Sequence, residues 1–301
     1  ISAFQGILVA VFGIGALAGL FVFATYSSNS SGNGGIGSVV IWGTLPKEGI
    51  SSALALIAQT ETAAKGISYV QKDPATLPTD LASAIATGDA PDMILASQEQ
   101  LHALAKFLTL IPSSTLPAST FTSTFVDEGG LFTAPNNAGY YGVPFLVDPL
   151  VLFWNNNILS SNGIARPPAT WEGLIGLVPN VAVLTPTKQI TRGLIALGTY
   201  DNVHNARAIL SALFLQTGVA MSGLSSGGSL VGDLGVAVTS AGGAPPGEAV
   251  LGFYTQFADP TKVSYTWNGS LKDSQQAFQV GDVALYPGYA SEARFFTAAN
   301  P

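Results

Sequence analysis

Between Val39 and Leu108, short apolar runs alternate three times with helix-like segments, and no other feature restricts the fold so tightly. Val39-Val40-Ile41-Trp42, ended by Gly43, suits a buried strand. A helix is predicted over Ser51 to Lys65, where Leu54, Ile57, Ala58 and Ala64 share a face and Lys65-Gly66 ends it. Ile67 to Val70 makes a second strand, and Thr79 to Thr87 a second helix closed by Gly88. Met93 to Ala96 makes a third strand. Ser97 and Gln100 have the spacing of a capping box for a helix reaching Leu108. Short links between such elements imply crossover connections and a parallel sheet. Ligands of such sheets collect beyond the carboxyl ends of the strands. Trp42, Thr44, Ser97 and Gln98 lie at those ends, although Ser97 also fits a plain helix cap and Trp42 a packing aromatic.

The pattern restarts after a break. In GVPFLVDPLVLFWNN (142 to 156), Asp148-Pro149 divides one apolar run into Val143 to Val147 and Leu150 to Trp154, read as strands of two different lobes. A carboxylate in apolar surroundings is costly unless it gains hydrogen-bond partners. Asp148 is therefore either a ligand-facing acid on the floor of a cleft or a cap for the turn made with Pro149. Further on, Thr170 caps a helix at Trp171, and Val181 to Leu184 reads as a strand. Ala206, Ile209, Leu210, Leu213 and Phe214 mark an amphipathic helix stopped by Gly218. Another helix spans Ala249 to Phe257, a shorter one Ser270 to Gln279, and a strand Val283 to Tyr286. The organisation read from this is an anchor or signal segment at 1–26, a linker at 27–37, a first lobe at 38–147, a second at 148–290, and the start of a return crossing at 291–301.

Residues 3 to 26 contain no charged side chain, and a helix over about 20 apolar residues spans a bilayer core. This stretch is expected to be an uncleaved transmembrane anchor, with a signal peptide as the competing reading. SSNSSGNGGIG (27 to 37) follows as a flexible tether. Gly13-Ile14-Gly15 with Ala18 imitates a dinucleotide fingerprint, but no strand precedes it.

Composition removes several function classes. With 11 Lys and Arg in 301 residues and a net charge of -7, the chain lacks the basic patch that nucleic-acid binding requires. It has no cysteine, hence no disulfide, thiolate metal site, thiol nucleophile or lipidated cysteine. Its two histidines, His102 and His204, offer little for metal ligation or base catalysis. No metal or cofactor is expected. Gly223-Leu224-Ser225-Ser226-Gly227 matches the serine-hydrolase motif G-x-S-x-G, which needs a strand before it and a helix after it, whereas here it sits in a loop of small residues. Apart from Asp148, no acid sits at the aromatic strand ends, so paired-carboxylate glycoside hydrolysis lacks its second group. The chain is expected not to be an enzyme.

VVIWG (39 to 43), DLASAIATGDAPDMILAS (80 to 97), YGVPFLVDPLVLFWNNNIL (141 to 159), GIARPPATWEGL (163 to 174) and QQAFQVGDVALYPGY (275 to 289) together resemble the extracytoplasmic solute-binding proteins of ABC importers, in the maltodextrin-binding-like group. The resemblance runs over roughly 40 to 290. It implies a periplasmic-binding-protein-like type II fold, two α/β lobes on a hinge that close on a small solute, with a sugar or oligosaccharide suiting the aromatics. ABC permease subunits would be the protein partner and the extracytoplasmic face of the membrane the location. The alternative is a membrane-tethered surface protein not coupled to transport. The resemblance places Asp148 at the acid position of the crossover and matches Tyr286 and Tyr289 to ligand-facing aromatics, with Trp267 and Asn268 just upstream. Tyr286 and Trp267 also fit core packing. Gln189 joins the candidates from the polar stretch TPTKQIT. In the family a return crossing completes the first lobe where this chain stops, so the chain is expected to be a C-terminally truncated fragment.

Overall fold

The computed structural model describes residues 37–227, 229–233 and 246–299. The expected anchor at 1–26 and nearly all of the linker lie outside them. Among the described residues no helix is long and apolar enough to cross a membrane. The chain divides into two compact units between Val147 and Asp148.

The N-terminal unit is built on a three-stranded parallel sheet. Strand β1 (Val39–Gly43) is central, flanked by β2 (Ile67–Gln71) and β3 (Met93–Leu95), with Gly43 level with Gln71 and Leu95. Parallel neighbours need crossovers, and helices α1 (Lys47–Thr60) and α2 (Leu77–Thr87) supply them. The first predicted helix thus starts and ends earlier than expected, because Lys65-Gly66 closes a separate 3-10 turn at Thr62–Gly66. Gly88 ends α2 in the left-handed conformation, φ +82°, as its position predicts. A Cβ on Gly43 would lie 2.7 Å from the Tyr69 hydroxyl and 2.9 Å from the Leu95 carbonyl oxygen, so only glycine fits where β1 ends. The buried cluster here is small: Leu77, Leu81 and Leu104, with Trp42, Ile94 and Phe107 packed against it.

The capping box at Ser97 does not form. Ser97 precedes a 3-10 turn, Gln98–Gln100, without a side-chain cap bond, and Gln100 Nε2 donates instead to the Pro74 carbonyl at 2.8 Å. The expected long helix is reduced to α3 (Leu101–Leu104) and a second 3-10 turn. The unit continues through β4 (Ile111–Pro112), α4 (Ala118–Thr124) and β5 (Gly139–Tyr140). Strands β4 and β5 pair antiparallel, and Phe121 stacks on Tyr140 with ring centroids 4.0 Å apart. Residues Val143 to Val147, predicted as a strand, join no ladder, and Phe145, Leu146 and Val147 stand 43%, 66% and 54% exposed. Apolarity there is not matched by a backbone partner, and without one an apolar run is not a strand.

The C-terminal unit holds the larger core. Its mixed sheet has the order β6-β11-β8-β7, from β6 (Leu150–Trp154), β7 (Val183–Leu184), β8 (Ile190–Ile195) and β11 (Val283–Tyr289). Strand β11 runs parallel to β8 and antiparallel to β6. Between β6 and β7 come α5 (Asn156–Ser161), α6 (Trp171–Ile175) and α7 (Val178–Val181), and the Thr170 hydroxyl caps α6 through the Gly173 N–H, as predicted. Helix α8 (Ala206–Gln216) follows β8. A hairpin, β9 (Ser222–Leu224) with β10 (Leu230–Gly232), comes next, and then α9 (Pro246–Thr255) and α10 (Ser274–Val280). A 3-10 turn at Ala290–Glu292 leads from β11 into α11 (Ala293–Ala299). Leu194, Ile195, Val283, Ala284 and Leu285 are fully buried, with Ile209, Phe257 and Trp267 among the helix and loop residues packed on them. At about 1.5–3 kcal/mol per buried large apolar side chain, this cluster dominates the stability of the unit.

Candidate functional site

In each unit the loops at the carboxyl ends of the parallel strands are where the topology allows a ligand. In the N-terminal unit that rim contains Trp42, Thr44, Lys72, Ser97 and Gln98. Trp42 packs on the leucine cluster, and the Lys72 ammonium lies 3.7 Å from its ring centroid while also pairing with Asp80 at 3.6 Å. This tryptophan is an anchored platform with a cation over it. The Thr44 N–H donates to the Leu95 carbonyl at 3.3 Å, which extends the ladder. Ser97 and Gln98 are exposed, and among the described residues no hydrogen bond takes up either side chain.

In the C-terminal unit the rim is formed by the loop after β8 and the turn after β11. The first loop carries Tyr200, Asp201, Val203 and His204, and with Ala206, Arg207 and Asp273 it lines a cavity of about 360 Å³. Tyr200 is 59% exposed, which leaves an aromatic face open to solvent at the mouth. His204 Nδ1 lies 3.4 Å from Asp273 Oδ2, and the His204 N–H donates to the Ser274 hydroxyl at 2.9 Å, which fixes the loop to the start of α10. In the sequence His204 stands only as one of two histidines and Ala206 only as part of a helix face, and none of the cavity residues stands out there as a candidate for binding. The signal was present as Tyr, Asp, His and Arg crowded into TYDNVHNAR, directly after an apolar run.

The turn after β11 is held by Glu292. Its carboxylate accepts from the Tyr286 hydroxyl at 2.6 Å, Gln275 Nε2 at 2.8 Å, the Tyr289 N–H at 2.7 Å and Asn205 Nδ2 at 3.0 Å. Burial pushes the Glu292 carboxyl up, but these four donors outweigh it and hold the group below the ordinary carboxylate range. Burial, then the bond to Glu292, pushes the Tyr286 hydroxyl far above its ordinary value.

The remaining predicted residues fall in distinct places. Tyr289 lies on this turn, half-buried at the end of β11. Tyr286 is 1% exposed, its ring near Phe278, Phe296 and Phe153. Trp267 is likewise in the core, and its indole N–H donates to Asn202 Oδ1 at 3.2 Å. Asn268 Oδ1 accepts from the Ser270 N–H and hydroxyl, and its Nδ2 donates to Tyr265. Asp148 accepts from Ser291 through both carboxylate oxygens. Gln189 sits at the amino end of β8, in the turn from β7, where its N–H donates to the Thr185 hydroxyl and its carbonyl accepts from the Thr185 N–H. It is at the opposite end of the strand from the rim.

Ser225, the serine of G-x-S-x-G, lies in the β9–β10 hairpin turn, and its hydroxyl accepts from the Ser229 N–H at 3.1 Å. A hairpin replaces the strand-to-helix elbow the motif requires. Among the described residues no group of three or more His, Asp or Glu side chains is placed to hold a metal ion.

These two α/β units, with their strand-end rims, have the fold of a solute-binding protein. The sequence profile of the bacterial extracellular solute-binding proteins matches residues 55–301, and the chain belongs to that family. No curated protein matches it. Among solved structures, it is similar to the sugar-binding protein of the phytopathogen Xanthomonas citri, with a TM-score of 0.65 and 18% identity over 88% of this chain and 62% of that one. It is also similar to the cyclic α-maltosyl-1,6-maltose binding protein of Arthrobacter globiformis, with a TM-score of 0.64 and 15% identity over 87% and 62%. A third is a solute-binding protein of Thermotoga lettingae bound with α-D-tagatose, with a TM-score of 0.58 and 21% identity over 88% and 65%. The chain thus spans under two thirds of the length of each.

Proposed function

We propose that the chain receives a small carbohydrate on the extracytoplasmic side of the membrane and presents it to the permease subunits of an ABC importer. The observation that carries this reading is the cavity at the carboxyl end of β8. It combines an open aromatic face, Tyr200, with the planar polar groups of Asp201, His204, Arg207 and Asp273. Sugars offer apolar ring faces and outward hydroxyls, and that pairing of surfaces meets both. The Trp42 platform with the exposed Ser97 and Gln98 is the corresponding candidate in the N-terminal unit, and Tyr289 extends the C-terminal rim. The uncharged stretch 3 to 26 serves as the membrane tether. The similar structures named for sugars and bound with tagatose support the choice of ligand class.

Thermal unfolding of the protein with maltotriose, maltotetraose or tagatose, and separately with amino acids, tests the reading. A solute at 100 times its Kd adds about 2.7 kcal/mol. Stabilisation by a saccharide supports the proposal. Stabilisation only by amino acids, or by nothing in the set, overturns the carbohydrate assignment.

A further inference from the structure

We propose that Glu292 is the positioning residue of the solute site, locking the turn after β11 to the loop after β8 before any solute arrives. The inference rests on the reading above. Its basis is the identity of the four donors. The Tyr289 N–H and Tyr286 hydroxyl come from β11 and its end, Gln275 from α10, and Asn205 from the segment that joins the cavity loop to α8. Asn205 Nδ2 also lies 3.0 Å from the Tyr286 hydroxyl, so the link between the two rim segments is doubled.

Asn205 directly follows His204 and precedes Ala206, both of which line the cavity. The Tyr289 N–H bonded to Glu292 Oε1 is at the other rim position. One carboxylate therefore spans the two, and every group around it donates. An acid with four lone-pair directions satisfies that set, whereas an apolar side chain takes the acceptor from the Tyr289 N–H, the Tyr286 hydroxyl and Gln275 Nε2 and leaves Asn205 Nδ2 only the Tyr286 hydroxyl and the Pro287 carbonyl. A preorganised rim binds more tightly because the loops need not be ordered at the moment of binding.

The test compares Glu292→Ala, Glu292→Gln and Asn205→Ala in the whole chain, with amide hydrogen exchange and maltotriose titration as readouts. Glu292→Ala is expected to speed exchange at residues 289–293 by at least about tenfold and to weaken maltotriose binding by at least about tenfold, with exchange in β8 and α8 unchanged. Glu292→Gln keeps an acceptor for the Tyr289 N–H and is expected to return both readouts to within about threefold of the parent. Asn205→Ala, which cuts only the link between the loops, gives an intermediate loss and serves if Glu292→Ala does not fold. Unchanged exchange at 289–293 in Glu292→Ala and Asn205→Ala overturns the proposal, as does a loosened turn with undiminished binding. If the parent binds no maltotriose, the carbohydrate reading fails, and the exchange result alone decides whether Glu292 holds the turn.

Discussion

Asp148 accepts two hydrogen bonds from Ser291, one from the backbone N–H to Oδ1 at 2.8 Å and one from the hydroxyl to Oδ2 at 2.7 Å. The Ala290 N–H adds a third tie, to the Pro149 carbonyl at 3.0 Å. The acid that interrupts the apolar run thereby fastens the start of β6 to the turn after β11. Replacing Asp148 with alanine is expected to lower the unfolding free energy by about 1 kcal/mol, the usual value of a capping acceptor near the surface. Asp148→Asn, which keeps one acceptor, loses about half of that. Denaturant titration measures both, and maltotriose affinity on the same variants shows whether the acid also faces solute.

Tyr200→Ala removes an exposed ring and is expected to leave the melting temperature unchanged while weakening saccharide binding by about tenfold, or about 1.4 kcal/mol. Equal affinity of the variant and the parent in a calorimetric titration would sink the assignment of this face.

Asn202 joins three segments. Its Oδ1 accepts from Trp267 and Thr199, and its Nδ2 donates to the carbonyls of Asn268 and Leu271. Asn202→Ala leaves the buried Trp267 indole N–H without an acceptor, so a loss of about 2–3 kcal/mol is expected in the C-terminal unit. Urea unfolding followed by tryptophan fluorescence reads it directly.

Gly43→Ala places a methyl group 2.8 Å from the Tyr69 ring and 2.9 Å from a backbone carbonyl. The strand end must shift to make room, at a cost of about 1–3 kcal/mol. Circular dichroism melts compared with the parent measure the loss.

The depressed Glu292 carboxyl sets a pH dependence. A folded-state value below the unfolded one stabilises the protein fully above the unfolded value. That contribution disappears as pH falls through the folded value. Stability measured from pH 7 to 3 is expected to drop more steeply in the parent than in Glu292→Gln. Parallel curves would show that the carboxylate charge contributes nothing.

Where hydrophobic period and stop residues agreed, the sequence was legible. Strands β1 to β3, the end of α2 at Gly88, the Thr170 cap and the face of α8 all read directly from it. Strand β8 is not legible because its first residue, Ile190, is followed by the polar pair Thr191 and Arg192, in a stretch that reads as surface, and its apolar run begins only at Leu194. Val143 to Val147 erred the other way, since its composition is that of a strand and only a missing ladder partner shows that it is not one. The candidate site was legible at Trp42 and Tyr289, which sit at strand ends. Glu292 and the cavity around His204 were not, because their partners come from segments up to 87 residues apart and leave no periodic trace.

The exposed run Val143 to Val147 has a consequence for handling the protein. Five consecutive residues, four of them large and apolar, with no ladder partner, are the kind of segment that seeds intermolecular β-aggregation when proteins are concentrated or heated. Pro144 inside the run, and Asp148 with Pro149 directly after it, are the residue types that act as gatekeepers against such stacking. Asp148, tied to Ser291 on the far side, thus also puts a fixed charge at the end of the apolar run.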